Sequence, residues 1–142
     1  MSLYLDHVLV AVHDLDRSTD TYATKLGFTL TSEGSHPGRG THNRLIVFGS
    51  EYLELIAVRD SSEGVFRPSM LDLLKHREGL YMFAMGSTDL SREVEEIRRR
   101  GVEVGEQAVG NREGRDGSSG YSWEAASLPK QTTPGSETFI IQ

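Results

Sequence analysis

Apolar residues run almost unbroken from Leu5 to Val12, rich in valine, and predict a buried strand. The spacing then changes. Leu15, Thr19, Tyr22 and Leu26 recur at i, i+4, i+7 and i+11, one face of a helix. Asp14 or Asp16 can cap its start; Lys25 and Gly27 close it. Phe28 to Ser32 reads as a second strand, and residues 34 to 40 (Gly-Ser-His-Pro-Gly-Arg-Gly) as turns. Asn43 to Phe48 and Glu51 to Val58 flank Gly49-Ser50 and predict a β-hairpin. The order is β-α-β-β-β.

The second half repeats the first. Leu80 to Gly86 is an apolar strand, Asp89 or Ser91 caps a helix striped by Leu90, Val94 and Ile97, and Gly101 stops it. Gly110 to Gly120 reads as a long hairpin loop carrying Arg112, Arg115 and Asp116-Gly117. Tyr121 to Leu128 and Glu137 to Gln142 complete the unit as strands. A polar linker over 60–78 joins the copies, with a short helix through Met70, Leu71, Leu73 and Leu74 capped by Ser69. The expectation is one α+β domain over 1–142, with module one at about 3–59 and module two at about 79–142. A repeated unit of this size buries its apolar face against a shared partner, which places function between the copies.

Composition narrows the chemistry. The chain has 142 residues, enough for an unaided core. It has no cysteine, so disulfides, thiolate metal sites and a cysteine nucleophile are excluded. The formal charge of −6 argues against nucleic acid as the main partner. Arg98-Arg99-Arg100 falls at a helix C-terminus, where it complements the dipole. No signal-peptide pattern and no membrane-spanning apolar run is read, so the expected location is cytoplasmic. The chain stops inside the apolar run Phe139-Ile140-Ile141, which suggests a natural protein extending beyond Gln142.

Three segments carry a resemblance: Leu5-Asp6-His7-Val8; Gly40-Thr41-His42-Asn43-Arg44-Leu45 leading to Phe48-Gly49 and Tyr52-Leu53-Glu54-Leu55-Ile56; and Arg77-Glu78-Gly79-Leu80 leading to Thr88-Asp89-Leu90. Together with the two βαβββ units they resemble the vicinal oxygen chelate superfamily, the glyoxalase and bleomycin-resistance fold, in its glyoxalase-like branch. The resemblance implies a cupped mixed sheet with helices outside and commonly a homodimer. In catalytic members it implies a divalent ion (Fe, Mn, Zn or Ni) held by the first and last strand of each module. His7 and Glu54 match these positions in module one. In module two Met82 stands opposite His7, and counting back from the end puts Gln142 opposite Glu54.

Strand alternation supports part of this. Tyr52, Glu54 and Ile56 share one face of their strand, while Leu53, Leu55 and Ala57 share the helix-facing side. Glu54 is therefore a candidate metal ligand or general base. Adjacent His42 and Asn43 face opposite ways; Asn43 shares a face with Leu45 and is read as substrate-orienting, His42 as a rim residue. Tyr52, Met82 and Trp123 are further candidates for contact with a substrate. His36, beside Pro37, reads as loop decoration. Three functions stay open. One is a metal-dependent enzyme of lyase, isomerase or dioxygenase type acting on a small organic molecule. The second is a metal-free binding or sequestration protein, and the third a module whose cup is filled by its own side chains.

Overall fold

The computed structural model describes residues 2–65, 67–115, 120–133 and 137–142. Module one contains β1 (Tyr4–Ala11), α1 (Leu15–Thr19, continued to Lys25 as a π-helical stretch), β2 (Gly34–His36), β3 (Thr41–Phe48) and β4 (Glu51–Val58). The linker carries α2 (Pro68–Leu74). Module two contains β5 (Gly79–Gly86), α3 (Leu90–Arg99), β6 (Ala108–Gly114), β7 (Tyr121–Leu128) and β8 (Thr138–Ile141). Among the described residues no helix is long and apolar enough to cross a membrane.

The eight strands form one strongly curved mixed sheet in the order β1-β4-β3-β2-β6-β7-β8-β5. Within each module the first and last strands run parallel, β1 with β4 and β5 with β8. The modules meet along antiparallel β1 and β5, and the sheet closes on itself through two residue pairs between β2 and β6. The architecture is the expected α+β cup with α1 and α3 outside.

Alternation along the strands divides the apolar residues between two environments. Leu15 of α1 packs with Val10, Val12, Leu55 and Ala57 of the sheet, and Leu90, Val94 and Ile97 of α3 pack with Ala126 and Ile140. The inner face contributes Leu9, Ala11, Ile56, Met82, Ala84 and Phe139, on which Met70 of α2 closes one end.

Three local readings change. The second strand lies not at Phe28 to Ser32 but at Gly34–His36, inside the stretch read as turns. Gly38 and Gly40, at φ 70° and 64°, reverse the chain tightly enough for His36 to pair with Thr41. The glycine-rich stretch is strand up to Gly114, because each residue from Ala108 to Arg112 pairs with β7; its Asp116-Gly117 lies outside the described residues. Ser69 does not cap α2. Pro68 opens that helix, and Ser69 Oγ instead bonds Tyr81 Oη and Glu137.

Candidate functional site

The inner face of the sheet surrounds a cavity of about 150 Å³, the volume of a benzene-sized group. Module one brings His7 and Leu9 from β1, His36 from β2, Thr41 and Asn43 from β3, and Tyr52, Glu54 and Ile56 from β4. Module two brings Tyr121, Trp123, Ala125 and Phe139. His7, His36, Asn43 and Glu54 all come from module one, while module two adds mainly aromatic and aliphatic wall together with Glu106 and Ser127.

Glu54 is the middle of the polar centre and only 6% exposed. One oxygen, Oε1, accepts a 2.7 Å hydrogen bond from Asn43 Nδ2 and lies 3.7 Å from His36 Nε2. The other, Oε2, lies 3.6 Å from His7 Nε2. That is too long for a direct hydrogen bond, and among the described residues no hydrogen bond to Oε2 is formed.

Each imidazole is oriented from behind. Asp6 Oδ1 lies 2.6 Å from His7 Nδ1, which places a proton on Nδ1 and turns Nε2 into the cavity. Tyr52 stacks on the His7 ring at 4.4 Å and 12°, and Phe139 meets it edge-on. His36 Nδ1 bonds Thr41 Oγ1 at 2.8 Å, and its Nε2 accepts from Asn43 Nδ2 at 3.3 Å. Burial pushes the His36 pKa down from its ordinary value, with Glu54 opposing. Burial, reinforced by Glu54, raises the Tyr52 phenol, which keeps its proton at neutral pH.

Behind Asn43 stands Arg112 of β6, 6% exposed. Its Nε donates to Asn43 Oδ1 at 2.9 Å and its Nη2 to the Ser32 carbonyl at 2.8 Å. The glycine at position 34 makes room for it: a Cβ there would lie 2.2 Å from the guanidinium carbon. Trp123 is seated the same way, its ring against Gly110 and edge-on to His36. Arg39 and Arg67 also line the cavity, with Arg67 4.8 Å above the Phe139 ring.

The expected site residues thus separate. His7, Asn43, Tyr52, Glu54 and Trp123 converge on the cavity. His42 turns outward and bonds Glu33 at 2.8 Å, as the alternation with Asn43 requires. Met82 is buried with Leu9, Ala84 and Phe139 under the cavity rather than on its wall. Gln142 does not reach the cup: its Oε1 accepts from the Leu90 backbone N–H at the start of α3. The register explains why. Leu9 pairs with Glu54, and the corresponding pair in module two is Ala84 with Phe139. The position facing Glu54 across the pseudo-twofold is therefore Phe139. His36, Arg112 and Asp6 are the members that the residue pattern did not select. The adjacency of Asp6 to His7 and the period-2 alternation placing Arg112 with Ala108 and Gly110 were the available signals.

A divalent ion fits this donor set poorly. Among the described residues no three His, Asp or Glu side chains are spaced to hold a metal. At the positions equivalent to His7 and Glu54, module two presents Met82 and Phe139. Between His36 and Glu54 the position is already taken by the Asn43 amide nitrogen.

A sequence model of the family described as glyoxalase-like domain matches residues 5–142. No curated protein matches the chain. Among solved structures, a hypothetical protein from Bacillus halodurans is 19% identical, with TM-score 0.77 over 99% of this chain and 94% of that one. A variant of Streptomyces coelicolor methylmalonyl-CoA epimerase in complex with 2-nitronate-propionyl-CoA is 24% identical, with TM-score 0.75 over 99% and 97%. Methylmalonyl-CoA epimerase from Mycobacterium tuberculosis is 23% identical, with TM-score 0.74 over 96% and 85%. At these identities the likeness is one of fold.

Proposed function

The chain belongs to the glyoxalase-like domain family of the vicinal oxygen chelate superfamily, and from that premise we propose that its cup binds a small organic molecule and moves a proton on it, with Glu54 as the base. The observation that carries this reading is the unequal treatment of the two Glu54 oxygens. Oε1 is anchored by Asn43, while Oε2 carries no hydrogen bond from the described residues and lies 3.6 Å from Nε2 of an Asp6-oriented His7. A base held at one end and open at the other, beside a second proton acceptor, is the arrangement general acid–base catalysis needs. Oε2 takes the proton from a carbon or oxygen of the ligand, and His7 Nε2 receives or returns it.

The wall supports an acyl or small ring system as the bound part. Trp123, Phe139, Tyr121 and Ala125 are apolar or aromatic, and the volume encloses a benzene-sized group rather than a whole coenzyme ester. Arg39 and Arg67 on the cavity lining suit a carboxylate or carbonyl of the ligand. Epimerases of methylmalonyl-CoA among the structural neighbours are consistent with a carbon acid as substrate. The donor set favours a centre that works without a divalent ion.

The test is proton exchange. Small carbon acids (2-oxo acids, acyl thioesters, β-dicarbonyl compounds) are incubated with the protein in D2O and followed by proton NMR, with Trp123 fluorescence reporting occupancy. Enzyme-dependent exchange that falls about 10²–10⁴-fold in Glu54→Gln supports the reading. Ligands that quench Trp123 but never exchange, in both proteins, would overturn proton transfer and leave the metal-free binding protein as the function.

A further inference from the structure

We propose that Arg112, acting through Asn43, is a positioning residue: a permanent cation, borne by the chain itself behind the cavity wall, that holds one oxygen of Glu54 in place and takes up the space a divalent ion would need. The inference rests on the proton-transfer reading for its catalytic consequence, but its geometry is independent of it.

The first observation is the burial of a guanidinium without a carboxylate. Arg112 is 6% exposed, and among the described residues no Asp or Glu forms an ion pair with it. A buried charge without a counter-charge is costly. The contacts of Arg112 are the Ser32 carbonyl, the Tyr121 ring at 5.8 Å and Asn43, whose Oδ1 accepts from Arg112 Nε and whose Nδ2 donates to Glu54 Oε1. Cation, amide dipole and carboxylate are aligned head to tail.

The second observation is that the alignment leaves Asn43 no choice. Its oxygen must face the guanidinium, which only donates. Its NH2 must then face Glu54 and His36. Arg112 and Glu54 fix the amide orientation from its two ends, and Arg112 holds the amide where it anchors Oε1 of Glu54 rather than Oε2.

The third is the location of that NH2. It lies 2.7 Å from Glu54 Oε1 and 3.3 Å from His36 Nε2, atoms that are themselves 3.7 Å apart. A metal ion bridging them would have to displace it. The second Arg112 contact, to the Ser32 carbonyl, and the side-chain-free Gly34 hold the guanidinium in place. Module two thus contributes a fixed charge behind Asn43.

Three measurements test this on the full chain. The His36 ring is titrated by NMR in the wild type, Arg112→Gln and Arg112→Lys. Arg112 is one of the charges holding the His36 pKa down, so loss of the cation raises it and the lysine variant lies between. Glu54-dependent exchange falls about 10–100-fold in Arg112→Gln, the range for removing a group that orients a reacting one, and recovers in part in Arg112→Lys. Titration calorimetry with Zn, Ni and Mn shows no stoichiometric binding to the wild type. Should Arg112→Gln fold poorly, Asn43→Ser breaks the same relay with Arg112 retained and gives the same loss of exchange. An unmoved His36 titration together with unchanged exchange in the variants overturns the proposal. So does a wild type that binds one divalent ion tightly and loses exchange to a chelator. A wild type with no exchange activity at all defeats the proton-transfer reading alone, and the His36 titration and metal binding still judge the relay.

Discussion

The imidazole of His36 sits where its neutral form is favoured twice over. It is buried, and its Nε2 is committed as an acceptor to Asn43 while Nδ1 serves Thr41. The folded-state pKa is lowered from 6.5 chiefly by burial. As pH falls below 6.5, the unfolded chain takes up a proton on this ring that the folded chain still refuses. Stability conferred by the neutral ring is therefore present above that pH and is lost on acidification, with a slope of up to about 1.4 kcal/mol per pH unit. His36→Gln removes this contribution. Urea midpoints measured from about pH 5.5 to 7.5 are expected to fall less steeply with acid in the variant than in the wild type. Equal slopes would mean that His36 accepts its proton in the folded state without cost.

At the scale of single elements, β2 is the strand on which closure of the cup depends, and it has only three residues. Gly34 is its critical position. A methyl group there would press on the guanidinium carbon and Nε of Arg112, the same group that orients Asn43. The φ of Gly34 lies outside the left-handed range, so the penalty is one of space. Overpacking of this kind costs about 1–3 kcal/mol. Gly34→Ala is expected to lower Tm accordingly and to shift the NMR signals of His36; a variant as stable as the wild type would show that β2 can move aside. The same element marks what could be read before folding and what could not. Glu54, Asn43 and Tyr52 were legible because they lie on long strands where a period of two assigns every side chain a face. His36 and Arg112 were hidden because proline and glycine around them signal turns, while their strand state comes from cross-strand pairing with β3 and β7. That pairing is a tertiary effect, which overrides local propensity. Gln142 was misplaced for a related reason. Counting from a chain end presumes a register, and the β5–β8 ladder puts Phe139 at the position in question.

Across the whole molecule, the two modules share more than a seam. The inner core mixes Leu9, Ala11 and Ile56 of the first with Met82, Ala84 and Phe139 of the second, and Met70 of the linker is sealed between them. The Arg112–Asn43–Glu54 relay crosses the same boundary. Neither half can bury its inner face alone, so the chain is expected to unfold as one unit. The location of the single tryptophan makes this testable. Trp123 reports on module two, while Leu55, fully buried beneath α1, belongs to module one. Leu55→Ala removes core volume at a cost of about 2–5 kcal/mol. If the modules form one cooperative domain, the Trp123 fluorescence midpoint in urea falls by the full amount, in step with circular dichroism. If Trp123 keeps its wild-type midpoint while part of the dichroism is lost earlier, the modules are separate folding units. The inner core and the relay would then be a docking interface between two finished halves, and the chemistry at Glu54 would depend on how long those halves stay together.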